Sequence, residues 1–88
     1  MKTNPDVIHR CVAGEHVLIP IGGTLQQTDG MFMLSEVGGR IWELIEAGLD
    51  RDAIVDKLCQ EYDAPPQVIA ADADDFIRDM LGSGLLEE

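Results

Sequence analysis

The spacing of apolar residues changes about a third of the way along the chain, from a pattern typical of strands to one typical of helices. Residues 7–13 and 16–21 are rich in β-branched side chains and flank the dipeptide Gly14-Glu15. Glycine at the first central position of a two-residue loop favours a type II′ turn. These segments therefore predict a β-hairpin with Gly14-Glu15 at its tip.

A polar, glycine-containing stretch at 22–30 follows and predicts a loop, after which the apolar run MFML at 31–34 predicts a third strand. A strand with one buried face should alternate apolar and polar residues, and this one does not. It is therefore either covered on both faces or placed beside a groove that receives an apolar partner. An open strand edge here would be a template for adding a peptide strand. Alternatively, Met31 and Met33 fill gaps in the core, as methionine often does.

Helical spacing of apolar residues in the remainder of the chain predicts three helices, at about 36–47, 51–62 and 66–82. Ser35 and Asp50 are suitable N-caps for the first two, and Pro66 is well tolerated at the first position of the third. Gly38 and Gly39 each weaken the first helix by about 1 kcal/mol relative to Ala. Their presence indicates that another part of the chain packs closely against its first turn.

The third predicted helix has an apolar face and an acidic face. Its buried side would be formed by Ile69, Ala73, Phe76, Ile77 and Met80. Its outer side carries Asp72, Asp75 and Asp79 at helical spacing. Gly82 and Gly84 end the helix, and Leu85-Leu86 can fold back onto it. Three strands followed by three helices predict an α+β fold in a single domain spanning 1–88.

Charge narrows the choice of partner. The chain of 88 residues has a net charge of −11, and nearly all of the excess lies after residue 40. An acidic surface repels phosphate backbones, so nucleic acid is an unfavourable partner and a basic peptide or protein surface suits the chain better. Solvation alone also explains many surface carboxylates. No apolar run is long enough for a signal peptide or a membrane span, so we expect a cytoplasmic protein that does not contact membranes.

Few residues suggest catalysis or metal binding. His9, Cys11 and His16 could converge on one face of the hairpin, but no fourth ligand with compact spacing is evident for a structural zinc site. Cys59 lies on the predicted apolar face of the second helix, where thiols are usually inert. Two isolated cysteines suggest a reducing compartment and buried small side chains, although the pattern leaves a disulfide open. We expect no metal, no cofactor and no enzymatic activity.

The order of these segments resembles the PqqD-like family, named for coenzyme PQQ synthesis protein D, which includes precursor-peptide recognition elements of ribosomal peptide pathways. The resemblance is carried by VIHRCVAGEHVLIPIG at 7–22, GMFMLSEVGGRIWELI at 30–45 and KLCQEYDAPPQVIAADADDFIRDMLGSGLL at 57–86. Within the second segment, Gly38-Gly39 stands where the family more often has Gly-Ala. The resemblance spans nearly the whole chain.

This resemblance implies a winged-helix-like fold and the capture of a leader peptide, which adds as a strand to the third strand and packs on the third helix. One wall of the implied site is formed by Met31, Phe32, Met33 and Leu34. The other wall is formed by Ala71, Asp72, Asp75, Phe76 and Asp79. The acidic helix would favour a leader that carries Lys or Arg.

The family resemblance further implies a non-catalytic adaptor that delivers its peptide to a modifying enzyme, and it suggests a radical SAM enzyme as the class served. Two alternatives remain open from the sequence. A winged-helix regulator could place the third helix in a major groove, although that helix carries four aspartates against one base, Arg78. A plain dimerisation module could pair an edge strand or an exchanged hairpin with a second copy.

Overall fold

A computed structural model describes residues 1–22 and 30–88. The strands are β1 (Lys2–Thr3), β2 (Val7–Val12), β3 (Glu15–Pro20), β4 (Phe32–Leu34) and β5 (Leu86–Glu87). The helices are α1 (Glu36–Glu46), α2 (Arg51–Glu61) and α3 (Pro66–Gly82). The predicted α+β fold, with three antiparallel strands followed by three helices, is confirmed. The loop predicted for 22–30 lies almost entirely outside the described residues.

The hairpin turn differs from the prediction by one residue. β2 and β3 pair with Val12 opposite Glu15, so the two central residues are Ala13 and Gly14 rather than Gly14 and Glu15. Both adopt positive φ, 53° for Ala13 and 82° for Gly14, as a type I′ turn requires and a type II′ turn does not. The type I′ turn matches the right-handed twist of the flanking strands, even though it places an alanine in the left-handed region.

The main sheet has the order β2-β3-β4, and its two faces are unlike. Leu18 is opposite Phe32 and His16 is opposite Leu34, and these residues face the helices. Met33, opposite Val17, points to the other side and is 60% exposed. Met31 is 65% exposed, so neither methionine fills a gap in the core. The apolar run is thus buried on one side and open to solvent on the other.

The core lies between the sheet and the three helices. Its largest fully buried side chains belong to the middle strand, to α1 and α2, and to the C-terminal segment: Leu18, Ile41, Trp42, Ile54, Leu58 and Leu85. The apolar face predicted for α3 is buried at Ile69, Ala73 and Met80, and half-buried at Phe76 and Ile77. Burial of each large aliphatic side chain contributes about 1.5–3 kcal/mol.

Side-chain and glycine caps define the helix ends. The Gly38 N–H donates to Ser35 Oγ over 3.0 Å, and the Ala53 N–H donates to Asp50 Oδ1 over 2.9 Å, so both predicted N-caps are confirmed. α3 ends in a Schellman motif, in which the N–H of Leu85 donates to the carbonyl of Met80. The buried Leu85 is the predicted hydrophobic contact after this cap.

The two ends of the chain form a second, smaller sheet that the sequence analysis missed. β1 and β5 pair antiparallel, with Lys2 opposite Glu87 and Thr3 opposite Leu86. The Asn4 side-chain amide donates to the carbonyl of Gly84 over 2.8 Å, which adds a second link between the two ends of the chain. Strands of two residues carry no detectable periodicity, so this pairing has no sequence signal of its own.

Two forked ion pairs connect the helices on the outside. Arg40 on α1 donates through Nε and Nη2 to Glu61 at the end of α2, over 2.8 and 2.7 Å. Arg51 at the start of α2 donates in the same way to Asp74 on α3, over 2.8 and 2.9 Å. These hydrogen bonds lower the pKa values of the Glu61 and Asp74 carboxyl groups below their usual values. No helix in the described part of the chain is long and apolar enough to cross a membrane.

Candidate binding groove

A groove of about 330 Å³ opens between the first turns of α1 and the middle of α3. It is lined by Ser35, Val37, Gly38, Ile41, Asp72, Asp75 and Phe76. α1 contributes an apolar floor, in which Ile41 is only 1% exposed. α3 contributes an aromatic ring and two carboxylates. The groove therefore combines an apolar base with an acidic rim, a composition suited to binding an amphipathic group.

The absence of a side chain on Gly38 keeps this groove open. A Cβ built on residue 38 would lie 3.2 Å from Phe76 Cε2 and 3.3 Å from Ser35 Oγ, closer than ordinary van der Waals contact. The glycine thus permits α1 and α3 to approach each other at the base of the groove. The close packing predicted from the Gly38-Gly39 pair is confirmed, with Phe76 as the neighbour of the first glycine.

The carboxylates of α3 have different partners. Asp74 is bound by Arg51 and faces α2, away from the groove. Asp75 Oδ1 accepts a hydrogen bond of 2.7 Å from Arg78 on the same helix, and both side chains are exposed. Asp72 has no cationic partner within residues 1–22 and 30–88. The groove therefore presents one unpaired carboxylate and one whose cation can swing away into solvent.

The strand β4 runs directly into this groove, because Leu34 is followed by Ser35, the N-cap of α1 and a lining residue. β4 pairs on one side with β3, and in the described part of the chain its other edge has no partner strand. Unpaired N–H and C=O groups on that edge can accept an added strand. The edge and the groove together form a continuous surface for an extended peptide.

Only some of the residues predicted for the site line the groove. Asp72, Asp75 and Phe76 do so, whereas Ala71 and Asp79 are exposed on α3 without lining it. Met31, Phe32, Met33 and Leu34 form the adjoining strand. Sequence reasoning missed Ser35, Val37, Gly38 and Ile41 as lining residues. Gly38 was the available signal, since a helix-weakening glycine in a first turn indicates a close approach.

The two histidines of the hairpin are joined by a hydrogen bond. His9 Nε2 and His16 Nδ1 lie 2.9 Å apart, with ring planes 8° apart and centroids separated by 5.1 Å. The rings are therefore side by side. Among the described residues no group of three or more potential ligands is placed to hold a metal ion. Cys11 is exposed rather than buried, contrary to expectation, and both cysteines are free thiols.

The fold and the groove define a small α+β domain with an open strand edge beside an amphipathic groove. The family model described as "Coenzyme PQQ synthesis protein D (PqqD)" matches residues 15–86, and the chain belongs to this family. The family resemblance seen in the sequence is thus confirmed. A comparison with curated proteins finds no match.

Two solved structures share the fold. One is "TbiB1 in Complex with the TbiA(beta) Leader Peptide", with 36% identity, a TM-score of 0.83, and coverage of 99% of this chain and 95% of that chain. The other is "Lasso peptide synthetase B1 complexed with the leader peptide", with 14% identity and a TM-score of 0.81, covering 99% of this chain and 96% of that chain. At 14% identity the second structure supports the fold alone.

Proposed function

We propose that this protein is a non-catalytic adaptor that captures the leader of a ribosomally made precursor peptide and presents it to a modifying enzyme. The leader adds as a strand to the free edge of β4 and lays side chains across the groove between α1 and α3. The whole chain acts as one peptide-binding domain. The enzyme served is one that modifies ribosomal peptides, and a radical SAM enzyme is the class that the family resemblance suggests.

The observation that carries this proposal is the continuity of the β4 edge with the groove. Ser35 belongs to both, because it follows the last strand residue and lines the groove. Strand addition provides backbone hydrogen bonds for affinity, and pockets for alternate side chains provide specificity. The relative that is 36% identical over nearly the full chain was solved with a leader peptide bound, which supports the same class of ligand here.

The charge of α3 argues against the alternative of a nucleic-acid-binding regulator. The helix carries four aspartates, and its single base, Arg78, already binds Asp75. A recognition helix must approach phosphates closely, and its carboxylates would be repelled by them. The same helix is well placed to approach a peptide that carries positive charge.

Titration with a leader peptide tests the proposal. We expect the TbiA(beta) leader peptide, added to ¹⁵N-labelled protein, to shift the amide resonances of residues 31–38 and 68–80. Shifts confined to the hairpin at 7–21 would place the binding surface away from the β4 edge and the groove, and would contradict the proposed site. An absence of shifts with this leader, and with the leader of any precursor peptide found to be encoded beside the gene, would refute leader capture altogether.

A modified peptide separates strand addition from other ways of binding. Methylation of alternate backbone nitrogens removes the donors that face one edge and leaves the side chains and the protein intact. We expect one of the two alternately methylated leader peptides to lose binding and the other to retain most of it. Equal binding by both peptides would exclude strand addition without any concern about the folding of a protein variant.

A further inference from the structure

We propose that the groove between α1 and α3 is a specificity pocket for a single Lys or Arg side chain of the bound peptide. This inference rests on the proposed function and deepens it, because it assigns a chemical class to one side chain of the leader. The aliphatic stem would lie on the apolar floor, and the cationic head would lie at the rim formed by Asp72 and Asp75.

The floor of the groove suits an aliphatic stem. Ile41 is buried, and Val37 and Phe76 are half-buried beside it, so the base offers apolar contact that is only partly used by the protein itself. Lys and Arg side chains place their methylene groups along apolar surface while the charged head stays at the solvent boundary. The groove is open at the rim, where such a head would lie.

The polar groups of the groove favour a ligand group that donates hydrogen bonds and carries positive charge. The Asp72 carboxylate has no cation in the described part of the chain, and the Asp75 carboxylate is held only by the exposed Arg78. Ser35 Oγ already accepts the Gly38 N–H and retains a further lone pair. An uncharged apolar side chain would cover these carboxylates without pairing them, and desolvation of an unpaired carboxylate costs free energy.

An anionic ligand is disfavoured although the groove lies at the N-terminus of α1. The N-terminal end of a helix attracts anions through its free N–H groups. Here Ser35 caps one of those groups, and Glu36 in the first turn supplies a negative charge. Together with Asp72 and Asp75, these groups give the groove a negative character. The same charges favour a cationic side chain.

Small amphipathic molecules test the pocket without the leader. The probes are n-butylammonium, n-butylguanidinium and n-butanol, each titrated into ¹⁵N-labelled protein. We expect saturable shifts at Gly38, Asp72 and Phe76 with the two cations, and affinity at least several-fold weaker for n-butanol. Asp72→Asn should weaken binding of the cations about two- to fivefold, as expected for an exposed ion pair. Asp79→Asn removes the same charge from the same helix outside the groove and should leave binding unchanged.

Three outcomes would overturn the proposal. They are equal binding of n-butanol and the cations, equal effects of Asp72→Asn and Asp79→Asn, and shifts spread evenly over all surface carboxylates. If the leader nevertheless binds at the β4 edge in the titration described above, the proposed function stands and only the cationic pocket is refuted. A lysine scan of the TbiA(beta) leader provides a second measurement. One position should gain affinity, and that gain should disappear in the Asp72→Asn variant.

Discussion

The imidazole ring of His16 occupies the space that a Cβ on residue 39 would need. A Cβ built on Gly39 would overlap the ring atoms Cγ, Cδ2 and Nδ1 of His16. Through this pair the middle strand of the sheet contacts the first turn of α1. Glycine at position 39 therefore leaves the space that the His16 ring occupies.

This contact predicts that Gly39→Ala destabilises the protein. The gain in helix propensity is about 1 kcal/mol, but insertion of a methyl group into a filled space typically costs about 1–3 kcal/mol. We expect a net loss of up to about 2 kcal/mol in the free energy of unfolding, measured by urea denaturation. The double variant His16→Ala with Gly39→Ala should lose less free energy of unfolding than the sum of the losses of the two single variants. Stabilisation by Gly39→Ala alone would contradict the packing described.

Gly38→Ala should separate stability from binding. The new methyl group gains helix propensity, yet it narrows the groove against Phe76 Cε2 and Ser35 Oγ. We expect leader affinity, measured by fluorescence anisotropy, to fall several-fold while the protein remains folded. Gly82→Ala is the matched control, because a Cβ there meets no atom within 4 Å and lies at the far end of α3. Equal affinities of the two variants would show that the peptide does not enter the groove.

The His9–His16 hydrogen bond predicts the tautomers of both rings. A nitrogen–nitrogen hydrogen bond needs one donor and one acceptor, so the two neutral rings cannot both present a proton at this contact. Glu46 Oε1 lies 3.6 Å from His9 Nδ1, which favours a proton on that nitrogen. His9 Nε2 then accepts and His16 Nδ1 donates. Long-range ¹H–¹⁵N correlation spectra of the neutral rings should show this arrangement, and a proton on His9 Nε2 would contradict it.

The forked ion pairs predict a particular dependence on pH. The folded-state pKa values of Glu61 and Asp74 are lowered by Arg40 and Arg51, so the stabilisation that they provide is present above the unfolded-state pKa values. It is lost as the pH falls through the lower, folded-state values. Protonation also relieves repulsion in a chain of net charge −11, which acts in the opposite direction.

A comparison with a double variant isolates the ion-pair contribution. Glu61→Gln together with Asp74→Asn should be less stable than the natural sequence near pH 7. The difference in the free energy of unfolding should shrink as the pH is lowered below about 4, where the carboxyl groups of unfolded chains are protonated. A difference that stays constant down to pH 2 would show that the two ion pairs do not contribute through their charges.

The sequence by itself determined most of the secondary structure, and its family resemblance implied the strand and the helix beside which the candidate groove lies. The change of apolar period predicts the three strands of the main sheet and the three helices to within one or two residues of their observed ends. It does so because strand and helix geometry place side chains on faces at fixed intervals. Ser35 and Asp50 mark the helix starts, because each side chain accepts a hydrogen bond from the backbone N–H three residues later. Such local relationships can be recognised without knowledge of the packing.

Only the tertiary structure decided which distant residues meet. The type I′ turn at Ala13-Gly14, the small sheet that joins the chain ends, and the contact of His16 with Gly39 all depend on how the elements pack. The groove followed the same rule: the family resemblance implied Asp72 and Asp75 as part of the site, whereas the floor on α1 was not predicted. A contact between elements depends on their crossing and separation, and no periodicity within a single element encodes those quantities.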